Sequence, residues 1–341
     1  MSEMKAGLYK SPKHVEMGQL PIPTIKKDEV LVKVSFAGIC GTDMMIYFGR
    51  HPRAKAPLAM GHEFSGIIEK VHPLSVDEFS VGDRVVIEPT LSCGSCDACR
   101  SGQFHVCNLL QLIGIDHHGG FAEYVSVPTH RLHKIPSNVT EEHAAVVEPV
   151  AVAIHTVKRS SLQLGDTVLI LGAGPIGLLI GLAAQNAGAG EIIISDVSPF
   201  RLEKAKELGF HVVDSQTDDV VQVALSLTNG KGADVVFEVA GHQATIDQML
   251  PAIKFQGKAT VVSVFKNKPQ VDLAAMHFRE LSLTTTRCYT HDDFRTALRL
   301  MEDGRIDVAP IISHILPIEE IKKGFELMEY PDESLKILFH P

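Results

Sequence analysis

The chain has 341 residues, 45% hydrophobic and 21% charged, with 41 acidic against 32 basic side chains and a net charge of −9. That length suggests about two domains whose cores need no disulfide staples. The composition excludes a disordered chain, and the negative charge disfavours nucleic acid and anionic membrane as partners. The first residues, Met1-Ser2-Glu3-Met4-Lys5, carry no apolar run, so no secretory signal is expected and the expected location is the cytoplasm.

In chain order, residues 30–36 alternate apolar and polar with period two, which predicts a half-buried strand. Residues 64–71 and 83–89 also read as strands, set apart by Gly, Pro and Asp. The chain to about 147 is therefore mostly β, with a cysteine-rich loop inserted. From about 150 strands and helices alternate. TVLILGAG is a strand running into a glycine turn, PIGLLIGLAAQNAG a helix, and EIIISD a second strand. Residues 167–190 carry no charge, nearly the length of a membrane span, but Gly172, Gly174, Pro175 and Gly177 interrupt the run as a strand–turn–helix does. Ser198 and Pro199 start another helix as N-cap and N1, and Gly209 ends it. Residues 233–239 and 258–264 read as later strands, giving a doubly wound parallel sheet. Helices are expected near 291–303 and 318–329.

The turn Gly172-Ala173-Gly174-Pro175-Ile176-Gly177 follows a strand and opens a helix. Its three glycines permit a tight turn, a close approach to pyrophosphate, and helix–strand packing, and the phosphate meets free N–H groups at the helix N-terminus. Asp196 ends the next strand 19 residues after Gly177, where a carboxylate accepts from an adenosine ribose hydroxyl. A carboxylate there repels the 2′-phosphate of NADP, so NAD is the expected cofactor. Arg201 lies close enough in sequence to soften that preference, although a solvated helix charge is the plainer reading.

Four of the six cysteines lie within fifteen residues: Cys93, Cys96, Cys99 and Cys107, spaced C-x2-C-x2-C-x7-C. In a chain without an export signal such a cluster points to metal rather than disulfides. Four thiolates close a tetrahedral zinc cage with no open position, which is a structural site. The first three spacings also match a bacterial iron–sulfur run, but there the fourth Cys follows after three residues and precedes Pro. Four buried free thiols are the bland alternative. Elsewhere Cys40, His62, Glu63 and Glu148 are all zinc-ligand types, and three protein ligands with one open position describe a catalytic site. Spacing alone does not join them.

GICGTD, PLAMGHEFSG, the four-Cys loop, GGFAEYVSVP, VEPVAVAIHTV, GAGPIG and ISHILPIEEIKKGFELM occur in this order from about residue 25 onward. Together they resemble the zinc-dependent medium-chain alcohol dehydrogenases, especially the sorbitol/polyol and threonine dehydrogenase branch. The resemblance implies an α/β protein with a β-rich domain. A GroES-like catalytic domain (1–149, with a structural-zinc loop 90–110, and again 288–341) is interrupted by a Rossmann domain (150–287). It implies a catalytic zinc on Cys40 and His62, with Glu63 or Glu148 as further ligand, and a second, structural zinc. Asp43 matches a residue that orients the ligand His, and Thr42 the hydroxyl that relays the alcohol proton. Tyr47 and Arg287 match substrate contacts, Arg287 with Cys288 where the branch has Tyr. Hydride would pass from a secondary alcohol of a polyol or sugar acid to NAD, with threonine-like oxidation as the alternative. A homotetramer is implied likewise. Met45 departs from the pattern: many relatives carry a relay His there. The proton is then expected to leave from Thr42 through the cofactor ribose to water, or toward Glu148. A zinc-free quinone reductase would lack Cys40, His62 and the cysteine loop. A non-catalytic NAD-binding protein would keep only the glycine turn with its sheet, and a zinc ribbon on nucleic acid conflicts with the charge.

Overall fold

The computed structural model describes residues 2–74, 79–330 and 332–341. The chain forms two compact units, Met1–Glu148 with Thr290–Pro341, and Pro149–Tyr289. Among the described residues no helix is long and apolar enough to cross a membrane.

The first unit is built on strand Glu29–Gly38, whose alternating side chains bury Val30, Val32 and Val34 on one face. It pairs antiparallel with Glu63–Val71, with Gly38 opposite Glu63 and Ala37 opposite Phe64. It also pairs with Lys336–His340, with Leu338 opposite Gly38. This register makes the site. Cys40 lies just past the end of one strand, His62 just before the start of the next, and Lys336 at the start of a third. The sheet continues outward through Arg84–Ile87 and Leu132–Lys134 on one side and Ile312–Pro317 on the other, while Tyr124–Pro128 also pairs with the central strand. Phe64, Ile68, Ile87, Val127 and Phe339 fill the core beneath it. Phe121 lies edge-on to Phe339 at 5.3 Å and to Phe325 at 6.1 Å. Each fully buried ring of this kind contributes about 1.5–3 kcal/mol. The N-terminal hairpin, Glu3–Ser11 with His14–Pro21, was not foreseen from the sequence pattern.

The second unit is a six-stranded parallel sheet. Its neighbours run His211–Asp214, Glu191–Asp196, Thr167–Leu171, Ala233–Glu238, Ile253–Val261 and Ser282–Thr285. In order of appearance this is 3-2-1-4-5-6, the order of dinucleotide-binding sheets. The uncharged run 167–190 resolves into strand Thr167–Leu171 and helix Pro175–Asn186, which buries Leu178, Leu179 and Ile180. The strand expected at 258–264 begins earlier, at Ile253, and stops at Val261. Beyond that, the N–H groups of Val262 and Ser263 both turn to the Glu238 carbonyl and leave the ladder. The helix expected at 318–329 is a 3-10 turn, Ile318–Glu320, followed by helix Ile321–Leu327.

Candidate metal and cofactor sites

Cys40 caps the helix Gly41–Tyr47. Its N–H donates to Asp43 Oδ2 at 2.9 Å, closing a capping box that fixes the carboxylate of fully buried Asp43. The other oxygen of Asp43 accepts from Gly61 N–H at 3.4 Å and stands 3.6 Å from His62 Nδ1. Cys40, His62 and Glu63 bring their donor atoms within 4.8 Å of one another. Burial works against charge on His62, yet Asp43 and then the Cys40 sulfur draw its pKa well above the usual imidazole value. Buried His62 Nδ1 has no hydrogen-bond partner. A thiol, an imidazole and the Glu63 carboxylate converge, with the Asp43 carboxylate behind the imidazole, so the donor set fits zinc. Glu148 is buried and near enough for its charge to act on Lys336, but it is not in the Cys40–His62–Glu63 group.

One partner of this site went unread in the sequence. Lys336 is 97% buried; its Nζ lies 2.6 Å from Glu63 Oε2 and donates to the Ile39 carbonyl at 3.0 Å. Burial opposes its charge, but Glu63 and then Cys40 hold the ammonium protonated. The available signal was a lone Lys opening the apolar run Lys336-Ile337-Leu338-Phe339.

Thr42 Oγ1 lies 3.9 Å from Cys40 Sγ, and Thr42 is half-exposed, so its hydroxyl stands beside the triplet. Met45 is half-buried in the same helix. Tyr47 requires a correction. It is 5% exposed, its ring packs on Phe325 at 5.1 Å, and its hydroxyl engages Glu329. Tyr47 lies on the core face of the helix, packed inward rather than offered to a substrate. His51 is no ready substitute for a relay histidine. Burial and then Arg53 push its pKa down, and its Nδ1 already accepts N–H groups from Arg53 and Ala54.

The four cysteines of the loop bring their sulfurs within 4.8 Å of one another. A tetrahedron with Zn–S bonds of about 2.3 Å has S···S edges of about 3.8 Å. The sulfurs of Cys93 and Cys99 are 4.0 Å apart, those of Cys96 and Cys99 3.5 Å, and those of Cys96 and Cys107 3.9 Å. An iron–sulfur cube, which takes one thiolate on each outer corner, would hold them much further apart. Backbone N–H groups of Cys96, Cys93 and Leu109 donate to the sulfurs of Cys93, Cys107 and Cys107. The Ser95 N–H and hydroxyl bring the Cys93 thiol down to about 6, while burial and the neighbouring thiols push that of Cys99 up to about 11.

In the second unit, Leu171 ends its strand level with Ser195, which puts the next residue of each strand, Gly172 and Asp196, side by side. Gly172 adopts φ +121°, and a Cβ on Gly177 would meet Gly172 O at 1.9 Å, so both turns of chain exclude a side chain. Gly174 caps the helix and Pro175 begins it, with Ile176 following, which leaves the first N–H groups free for an anion. Asp196 Oδ2 accepts from Ala173 N–H at 2.7 Å, and Oδ1 from Val197 and Ser198 N–H at 2.8 and 2.9 Å. The carboxylate is thus pinned to the glycine turn, with lone pairs left for a ribose hydroxyl. Arg201 is not a solvated helix charge. Its Nη1 lies 3.8 Å from where a Cβ of Gly174 would stand, over the turn itself. Fully buried Glu238 carries the end of the neighbouring strand and accepts N–H groups from Ala240 and Gly241 and the Thr245 hydroxyl. Arg287 is exposed, just after strand Ser282–Thr285.

Comparison with known proteins joins these parts. Residues 26–137 match the alcohol dehydrogenase GroES-like domain, and residues 175–303 the zinc-binding dehydrogenase family. The chain is 38% identical, over 91% of each chain, to a 2-dehydro-3-deoxy-L-galactonate 5-dehydrogenase of Pseudoalteromonas atlantica. It is 38% identical to an L-threonine 3-dehydrogenase of Bacillus velezensis, again over 91% of each chain. A zinc-binding dehydrogenase of Sinorhizobium meliloti, solved bound to NADP, superposes with a TM-score of 0.93 at 33% identity over 100% of both chains.

Proposed function

The chain belongs to the zinc-binding dehydrogenase family and is an oxidoreductase, and from that premise we propose that it oxidises a secondary alcohol of a polyol or sugar acid with NAD. The observation that carries this reading is the buried Cys40–His62–Glu63 group with the Thr42 hydroxyl beside it. When bound, zinc supplies Lewis acidity at the substrate oxygen and the nicotinamide takes up the hydride.

The chain's own residues do the rest. Cys40, His62 and one of Glu63 and Glu148 hold the metal. Asp43 faces the imidazole of His62 at 3.6 Å, and Lys336 pairs with Glu63 and orients it. Thr42 would accept the proton released by the alcohol and hand it on to water or toward Glu148. Gly172, Gly174, Pro175, Ile176 and Gly177 would cradle the pyrophosphate, and Asp196 would accept from the adenosine ribose. Arg287 offers a fork for a substrate carboxylate. The two relatives at 38% identity favour a substrate with a carboxylate as well as a secondary hydroxyl. In this reading residues 1–149 and 288–341 form the catalytic domain, with the structural-zinc loop at 90–110, and 150–287 the NAD-binding domain. Two zinc ions per chain and a cytoplasmic homotetramer complete it, by resemblance to the branch.

The test is NADH formation at 340 nm over hexitols, pentitols, aldonates and threonine. Activity on aldonates or polyols supports the proposal. Activity confined to threonine transfers it to amino-alcohol oxidation, and none on any class overturns the polyol and sugar-acid reading.

Two predictions follow from the residue roles. Thr42→Val removes the first relay hydroxyl at nearly constant volume, so kcat should fall by about 10²–10⁴-fold, as for loss of general acid–base help; a normal kcat would remove Thr42 from the path. With the native chain, kcat/KM for NAD should exceed that for NADP by more than about tenfold, or ~1.4 kcal/mol of repulsion at Asp196. Asp196→Ala should narrow that margin. A preference for NADP would make Arg201, lying over the turn, the dominant charge instead.

A further inference from the structure

A third group of metal-ligating side chains lies in the first unit, away from both sets described above. Glu88 follows strand Arg84–Ile87, His133 lies in strand Leu132–Lys134, and His291 opens helix His291–Glu302. Their donor atoms lie within 4.8 Å of one another. His291 Nδ1 is 2.7 Å and His133 Nε2 3.3 Å from the same oxygen, Glu88 Oε2. The two imidazoles face each other with centroids 4.8 Å apart, and His133 is backed by Phe294 stacked at 4.6 Å.

We propose that Glu88, His133 and His291 form a third metal site that takes a divalent cation of the zinc class and ties the returning C-terminal segment to the sheet.

The chemistry agrees at each step. Two imidazoles and one carboxylate are a ligand set for zinc and its neighbours among the transition metals. Tetrahedral bonds of about 2.0–2.1 Å put ligand atoms about 3.3–3.4 Å apart. The His133–Glu88 spacing already has that length, and the His291–Glu88 spacing opens by less than an ångström. Burial alone would raise the Glu88 carboxyl, but His133, Arg131 and His291 hold it down at about 2, so it is ionised wherever the imidazoles are neutral. Its second oxygen is occupied, by Arg131 Nη1 at 2.7 Å and the Thr90 hydroxyl at 3.1 Å. That leaves Oε2 as a single, oriented ligand. On binding, the two ring protons that face Glu88 move to the opposite nitrogen of each ring.

Access is built in. Glu88 and His133 are buried, but the His291 side chain is 48% exposed. Both histidines line a groove of about 750 Å³, from which an ion enters and a water completes the shell. Of the other cations along it, Lys134 pairs with Asp83 at 2.9 Å and Arg295 with Asp292 at 2.6 Å, and exposed Arg299 lines it as well. Arg131 cancels the charge of Glu88, so this site binds more weakly than four thiolates and exchanges its ion.

The experiment compares the full chain with His291→Ala, a half-exposed substitution, and His133→Gln, after equilibration with zinc chloride and removal of unbound metal. The native chain should hold about one zinc per chain more than either variant. Added zinc should raise the melting temperature of EDTA-rinsed native chain further than that of either variant. Turnover should persist in His291→Ala, which separates this site from the catalytic reading. Equal zinc content in native chain and variants, with equal thermal response, overturns the proposal.

Discussion

Cys40→Ser will leave the chain folded and remove its turnover, whereas Cys93→Ser will cost it the fold of its loop. Cys40 is an N-cap, and serine is itself a favoured N-cap. The capping box with Asp43 therefore survives the change, while the only sulfur in the Cys40–His62–Glu63 group is lost. Cys93 is different. Its sulfur stands 4.0 Å from that of Cys99 and accepts the Cys96 N–H, and the loop around it has little apolar core of its own. In small zinc modules the metal supplies about 10–16 kcal/mol of folding free energy, so loss of one thiolate is severe. Circular dichroism, melting temperature and zinc content of both variants check the pair. A native melting curve for Cys93→Ser, or residual turnover in Cys40→Ser, would reverse the roles assigned to the two sets.

In metal-free chain, Lys336→Met should destabilise the first unit by about 3–5 kcal/mol, because it removes the cation paired with the buried Glu63 carboxylate. The Lys336–Glu63 contact is 2.6 Å long and both side chains are at least 96% buried. Solvent screening therefore offers little relief. Urea unfolding at neutral pH measures the loss. Adding Glu63→Gln should recover part of it, since the stranded charge then disappears. An unchanged midpoint for Lys336→Met would mean that water reaches Glu63. A metal-content assay on the same variant separates lost stability from lost zinc.

Features carried by neighbouring residues were legible in the sequence. The glycine turn is a local motif, and Gly172 and Gly177 meet the backbone constraints their spacing implied. The four cysteines lie in one loop, so spacing alone brought their sulfurs together. What was not legible depends on sheet register. Lys336 reaches Glu63 across 273 residues because two strands far apart in the chain flank the same central strand, and His291 reaches Glu88 across 203 because a helix near the end of the sequence starts over the sheet. Tyr47 was misread for a third reason. Alignment to a motif says nothing about which side of a short helix meets the core, and Ile46 and Tyr47 both turn inward. Arg201 was taken for a solvent-facing charge because helix periodicity does not reveal that a long side chain folds back over the preceding turn.

Strand Lys336–His340 sits inside the first unit's sheet, between Glu29–Gly38 and Ile312–Pro317. During synthesis, then, the second unit can fold as soon as Tyr289 has emerged, but the first waits with an unpaired seam until residues near the end of this sequence arrive. The ribosome delivers Lys336 after nearly every other residue of the catalytic pocket, so the metal triplet is completed electrostatically only once translation has reached it. A stalled or clipped chain would carry a finished dinucleotide fold beside an open sheet edge, ready to pair with another chain. Quality control that recognises exposed strand edges would therefore discriminate copies lacking strand Lys336–His340 from those that carry it before any of them meets substrate.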